Sequence, residues 1–249
     1  KGFLPQDFNV VIGDITALHP DNPPTSRKKD SEGDIIDAVE AFVTIPKDEG
    51  KDLLLGENKI KGNTEFLFRA DVCYQYGTDA ISKICILENM ISPADDAICD
   101  PKGEKKVFSS GSPVQVTGFR QTVVGENKIQ FSFDIEHVGK GKVFEDKLPK
   151  SDAGCPSDLA KIRREENKVK VTVKTGISDT LTCVSIGTNT DGEVSGNVQL
   201  VNGKRTITCT QEISRQNKID LERNVDIKLN FDYSDSVERK VLAKHLKDV

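Results

Sequence analysis

The sequence predicts an all-β protein of two antiparallel β-sandwich domains in tandem, with at most short helices. Three observations carry this. Runs of alternating apolar and polar residues recur, as in Ile129, Phe131, Phe133 and Ile135, and a period of two is the signature of a half-buried strand. Turn-forming residues punctuate the runs at short intervals, while helix-period stretches are scarce. Two stretches share one design: Glu65–Leu87 and Asn224–Leu246 each alternate up to a tyrosine, pass a polar patch and continue with scattered apolar residues. Aligned on Tyr76 and Tyr233, YGTDAISKICI lies over YSDSVERKVLA. Each is read as a β-hairpin that closes one domain, which places the domains at 1–105 and 106–249.

Taken in order, Phe8–Ile12 is a short opening strand, ended by the proline-rich His19–Pro24, because proline fixes φ and removes a ladder donor. In Asp34–Pro46 the residues Ile35, Val39 and Phe42 fit a helical face. The concentration of β-branched residues and the following proline favour a strand over Ala38–Ile45. Phe66, Phe68, Ala70, Val72 and Tyr74 form the first arm of the first hairpin, with its turn at Gly77-Thr78-Asp79. Pro93–Ser112 has the composition of a linker. The second domain opens with Val114 and Val116, turns at Gly125-Glu126-Asn127 and runs on through Ile129–Ile135. Ser157 caps a short helix through Arg163, with Leu159 and Ile162 inward. Val169, Val171 and Val173 make a strand, and Leu181 and Cys183 sit in the next. Asn202-Gly203 signals a type I′ hairpin that would set Val198 opposite Ile207. Val225, Ile227, Leu229, Phe231 and Tyr233 open the closing hairpin.

The six cysteines are Cys73, Cys85, Cys99, Cys155, Cys183 and Cys209. An even number, no C-x-x-C and a β context point to disulfides formed in an oxidising compartment. Cys73 and Cys85 are equidistant from Asp79, so the hairpin reading pairs them across its arms. Cys183 and Cys209, on strands of the second domain, are paired across neighbouring ladders or between the two sheets, and the two loop cysteines, Cys99 and Cys155, are paired to tie the linker to that domain.

Composition excludes more than it identifies. A net charge of −5 in a chain of 249 residues disfavours nucleic-acid or anionic-membrane partners, which need a basic face. No apolar run approaches the roughly 18 residues of a membrane-crossing helix, so a membrane would be met only through an anchor outside this chain. His19, His137 and His245 lie far apart without ligand spacing. Gly139-Lys140-Gly141-Lys142 lacks the P-loop pattern and leads into β-like residues, so it is a strand-connecting corner. Asp30–Asp34 and Asn189–Gly192 resemble parts of calcium loops but lack the closing glutamate. No catalytic, cofactor or metal residue is assigned.

The run Ser112–Val143, SPVQVTGFRQ…IQFSFDIEHVGKGKV, with its His-x-Gly-x-Gly corner, and the Tyr-x-Tyr of Tyr74-Gln75-Tyr76 resemble immunoglobulin-like domains of the CARDB (cell adhesion-related) type, as found in ectodomains of archaeal surface proteins. The chain has His137 where such domains carry Asn, and no tryptophan. The resemblance implies a tandem of immunoglobulin-like sandwiches at the cell surface, non-enzymatic, working in adhesion or structure through protein partners or self-assembly. A filament subunit that donates Lys1–Ile12 by strand exchange is an alternative. An accessory or carbohydrate-binding module is another, disfavoured because sugar platforms use exposed aromatics. The alternation places Phe231 in the core, so Phe231→Ala is expected to lose roughly 3–5 kcal/mol of stability; chemical denaturation measures this, and a loss below about 1 kcal/mol would put the side chain on the outer face.

Overall fold

The computed structural model describes residues 28–29, 35–36, 62–146, 155–156, 159–214 and 219–244. The readings on Phe8–Ile12, Asp30–Asp34, Ala38–Ile45, His19, His245 and Ser157 lie outside these residues. Backbone contacts gather the chain into two units, Asp71–Ser236 and Lys1–Ala70 with Val237–Val249. Within the described part of the latter, β1 (Lys28–Lys29) pairs antiparallel with β2 (Ile35–Ile36). It also holds the first residues of β3 (Thr64–Ile86) and the last of β14 (Leu221–Ala243). There Glu65 pairs with Lys240 at 3.0 Å and Arg69 with Glu238 at 3.9 Å.

Asp71–Ser236 is built of two antiparallel sheets. The front sheet uses β4 (Gly103–Glu104), β6 (Val114–Gly125), β7 (Lys128–His137), β10 (Leu181–Cys183), β11 (Gly187–Asn189) and β13 (Lys204–Glu212) in the order β11-β10-β13-β7-β6-β4. The back sheet adds β5 (Val107–Ser109), β9 (Lys168–Lys174) and β12 (Glu193–Gln199), in the order β12-β9-β14-β3-β5. A short strand, β8 (Lys142–Glu145), also pairs with β14. A helix, α1 (Leu159–Glu165), lies between β8 and β9 in the chain. The alternating residues of both sheets meet in a single apolar cluster. Val114, Ile129, Phe131, Phe133 and Ile135 come from the front; Val169, Val171, Val173, Ile227, Leu229 and Phe231 come from the back, all with no exposed area.

A bulge in β6 sets which of its residues face this core. Pairing with β7 slips between Thr117 and Arg120, where Gly118 has φ +60°, a backbone state that glycine adopts without strain. The extra residue changes the inward set from Val114 and Val116 to Phe119 and Gln121. Phe119 then stacks on Phe131 at 5.4 Å and on Phe133 at 6.4 Å between ring centres. Gln121, fully buried, donates from Nε2 to the Cys85 carbonyl at 2.7 Å and accepts from the Cys85 N–H at 2.8 Å. Its amide thus stands in for a neighbouring strand beyond the end of β5, satisfying backbone groups that burial would otherwise leave unpaired.

The structure corrects several expectations. The two tyrosine stretches are not hairpins: each is one continuous strand of 23 residues. They are neighbours in the back sheet. Lys83 pairs with Glu222, Asp79 with Lys228, Tyr76 with Phe231 and Tyr74 with Tyr233, a descending order that makes the pair antiparallel. Thr78, expected in a turn, is buried and donates to the Val114 carbonyl at 2.6 Å. Gly77 has no positive φ, and a Cβ there would make ordinary contacts, so nothing about it marks a turn. Pro93–Ser112 is not a linker, because it supplies β4 to one sheet and β5 to the other. The expected 105/106 boundary therefore falls between two strands that both belong to the Asp71–Ser236 unit.

With the hairpin gone, its disulfide goes too. Cys73 and Cys85 lie twelve positions apart on one strand, roughly 40 Å at 3.3 Å per residue. Cys73 instead bonds Cys155, and Cys85 bonds Cys99, the partner that the sequence reading gave to Cys155. Cys183–Cys209 forms as expected, between residues directly opposite on β10 and β13. Asn202 and Gly203, at φ +52° and +77°, make the predicted I′-like turn. The strands it joins lie in different sheets, however: Val198 faces Val169, and Ile207 faces Phe133. Leu159 on α1 is 71% exposed rather than inward. Gln121→Leu should cost about 2–5 kcal/mol by orphaning the Cys85 N–H and C=O. Gln130→Leu on the outer face should stay within roughly 0.5 kcal/mol. Urea unfolding of the two variants provides the comparison.

Candidate functional site

Chemistry-bearing side chains of the described residues collect in two places: the corner after β7 and the outer face of the front sheet. At the corner, the Val138 and Gly139 N–H groups both donate to the Pro113 carbonyl, at 2.8 and 3.2 Å. The Tyr233 ring packs directly beneath. A Cβ on Gly139 would meet Tyr233 Oη, and one on Gly141 would meet the Ser234 carbonyl. Only glycine lets the tyrosine come this close, and the Gly141 N–H donates to its hydroxyl at 2.7 Å. The glycines of Gly139–Lys142 therefore serve a strand-connecting corner, as the sequence indicates.

Around Tyr233 lie His137, edge-on at 5.9 Å, and Tyr74 at 5.8 Å; Tyr74 touches Tyr76, which stacks on Phe231 at 6.0 Å. Burial first, then the nearby Tyr233 and Asp235, pushes the Tyr74 phenol up to about 12. Burial also raises Tyr233, against the pull of the Gly141 N–H. Burial lowers His137, whose Nε2 has no hydrogen-bond partner. The cluster is a set of rings packed against one another, with Asp235 near enough to oppose ionisation of both the Tyr74 and Tyr233 phenols.

The outer face of the front sheet was not singled out in the sequence. Its signal is Thr206-x-Thr208-x-Thr210, alternating with buried Ile207 and Cys209. Register assembles the threonines into rows across strands. Thr188 faces Thr182, Thr182 faces Thr210, Thr210 faces Gln130 and Gln130 faces Thr122. In the next row Thr208 faces Ser132, which faces Arg120. Ion pairs frame these rows. Lys128 meets Glu212 at 2.8 Å, and Lys204 meets Asp134 at 2.9 Å and Glu136 at 2.6 Å. Burial alone would raise Asp134, but the Thr206 hydroxyl and the Lys204 ammonium outweigh it and hold the carboxyl below its usual range. Lys128 lowers Glu212 in the same way. Beside this frame is an open hollow of about 360 Å³, lined by Asn127, Asp179, Thr190 and Ser214 among others.

Asn189–Gly192 is a surface turn that caps itself: Asp191 Oδ1 accepts from the Glu193 N–H at 3.2 Å. Among the described residues there is no group of three or more His, Cys, Asp or Glu able to hold a metal. None of their helices is long and apolar enough to cross a membrane. All six cysteines are bonded, and three disulfides are characteristic of an oxidising compartment. No protein-family model matches the chain, and no curated protein matches it in sequence.

His137 yields a pH prediction. Its folded-state pKa lies below the unfolded value of about 6.5. Its neutral form therefore contributes stability that is present above that value and is lost as pH falls through the folded pKa. His137→Gln should flatten this acid-side decline; urea midpoints measured between about pH 5 and 7.5 test it, and parallel pH profiles for variant and wild type would disprove it.

Proposed function

We propose that the chain is a non-enzymatic extracellular protein that presents an immunoglobulin-like sandwich at the cell surface for adhesion or structure. The observation that carries this reading is the outer face of the front sheet. It combines threonine, serine and glutamine in ordered rows, framed by charge pairs. It rests on a core to which β6, β7, β10 and β13 all contribute. A rigid face of short hydroxyl side chains loses little side-chain entropy on binding. It offers donors and acceptors to a protein surface without the cost of stripping water from charges. Three disulfides add support, since they resist unfolding outside the cell. The partner class is protein, another copy included.

A filament assembled by strand exchange is the second reading. It is favoured by β12, a seven-residue strand at the end of the back sheet with a neighbour on one side only in the sheet order. The donor segment assigned from sequence, Lys1–Ile12, lies outside the described residues.

Intact cells expressing the protein should be labelled on it by a membrane-impermeant amine reagent, and beads coated with the purified chain should adhere to those cells. The combined variant Thr122→Lys, Thr182→Lys and Thr208→Lys places no two lysines directly opposite, keeps the inward residues and should melt close to the wild type. Its adhesion should fall by about tenfold or more, since unpaired lysines would have to be desolvated in the contact. Beads that do not adhere, or a variant that adheres equally well, would overturn the adhesive reading. Ordered polymers in negative stain would replace it with the filament.

A further inference from the structure

We propose that Lys168 and Asn197 are a site of intramolecular amide cross-linking, with Glu145 as the proton-transferring catalytic residue. Lys168 is the first residue of β9, and Asn197 lies on β12. In this antiparallel pair Lys168 faces Gln199 and Lys170 faces Asn197. Lys168 and Asn197 are therefore diagonal neighbours on one face of the sheet, within reach of long side chains. A carboxylate from a third strand grips both. Glu145 Oε2 accepts from Lys168 Nζ at 3.4 Å, and its Oε1 accepts from Asn197 Nδ2 at 2.6 Å.

The fold explains the convergence. β8 and β9 follow one another along β14: Asn230 faces Lys170 and the next residue, Phe231, faces Glu145. Glu145 therefore reaches the sheet where β9 begins. The ion pair is only partly exposed, while Asn197 lies exposed on the outer face of β12. The Lys168 and Glu145 side chains are 28% and 23% exposed, whereas every other ion pair between described residues has a partner at least half exposed. A primary amine, a carboxamide and a carboxylate that bridges them are the reactants and the proton shuttle of a transamidation.

The step balances without a cofactor or oxidant. Lys168 Nζ passes a proton to Glu145, and the neutral amine attacks Asn197 Cγ. Glu145 hands that proton to Nδ2 and takes the second proton from Nζ as the Cγ–Nδ2 bond breaks; the departing ammonia then collects this proton from Glu145 and leaves as ammonium. One secondary amide and one ammonium ion replace one lysine ammonium and one carboxamide. The reaction needs to occur once per molecule, so slow chemistry suffices. Holding the partners in place supplies effective concentrations that reach about 10⁵–10⁸ M for well-oriented groups. The bond would tie the sheet-edge strand β12 to β9, securing the edge against exchange with another chain.

The test is mass spectrometry of the full chain after reduction and alkylation. The expected result is a species lighter by one ammonia, together with a branched proteolytic fragment joining the Lys168 and Asn197 peptides. Lys168→Arg keeps a cation for Glu145 but no attacking amine, and Glu145→Gln cannot accept the proton. Both variants should show the full mass and the separate peptides, and should melt below the wild type. A wild-type chain of full mass with both peptides unlinked would overturn the proposal. So would an ammonia loss that persists in Lys168→Arg, since it would mark ring closure at an asparagine instead.

Discussion

The pairing of β3 with β14 is the contact on which the rest of the molecule depends. These strands open and close the Asp71–Ser236 unit and lie side by side within its back sheet. Between Ile86 and Leu221 the chain must make every other strand of both sheets before the pair can form. Closing so long a loop costs entropy, but the cost grows only with the logarithm of length. It is offset by the apolar row that β14 sets against both the front sheet and β9. Ring contacts from Tyr74 to Tyr233 and from Tyr76 to Phe231 lock the two strands together. The Cys73–Cys155 disulfide ties β3 across 82 residues to the segment that precedes α1.

A sandwich with such a core must still satisfy the backbone at its strand ends. It does so with buried side chains that imitate backbone. Gln121 caps Cys85 from the opposite sheet. Gln211, equally buried, accepts from the Thr175 hydroxyl at 2.7 Å and donates to the Asp179 and Glu212 carbonyls. Thr78, within β3, caps the start of β6 by donating to the Val114 carbonyl beside Ser112. A buried amide carries a donor and an acceptor at fixed spacing, as a peptide group does. It can therefore end a ladder without leaving an orphan.

The two outer faces differ in chemistry, although the same alternation produces both. On the front sheet the outward positions are mostly hydroxyl and amide, with charge pushed to the rim. On the back sheet Lys170, Lys174, Glu193, Asp226 and Lys228 make the face a mixture of signs. The front face, with fewer charges, costs less to strip of water than the back face. The Lys168–Glu145–Asn197 contact sits where β8 gives way to β9, at a step in the sheet that draws a carboxylate against two nitrogen-bearing side chains.

Local sequence determined a good deal. Alternation fixed the inward faces of β7, β9 and the first half of β14; the Asn202-Gly203 turn was legible from its φ requirement, and the corner after His137 from the lack of a P-loop pattern before β-like residues. Cys183–Cys209 followed because its residues sit on strands with clear periodicity. What only the tertiary structure decided was partnership. Tyr76 and Tyr233 carry the same local pattern because both strands line one core, and a repeat of pattern does not distinguish two hairpins in two domains from two neighbours in one sheet. Gly77-Thr78-Asp79 has turn composition, yet the chain runs straight through it, since Thr78 finds its acceptor at the start of β6, 36 positions away. The disulfides of Cys73, Cys85, Cys99 and Cys155, the threonine rows and the meeting of Lys168, Glu145 and Asn197 all depend on which strand lies beside which. That choice is made by burying both apolar faces at once, a property of the assembled sheets that no single segment encodes.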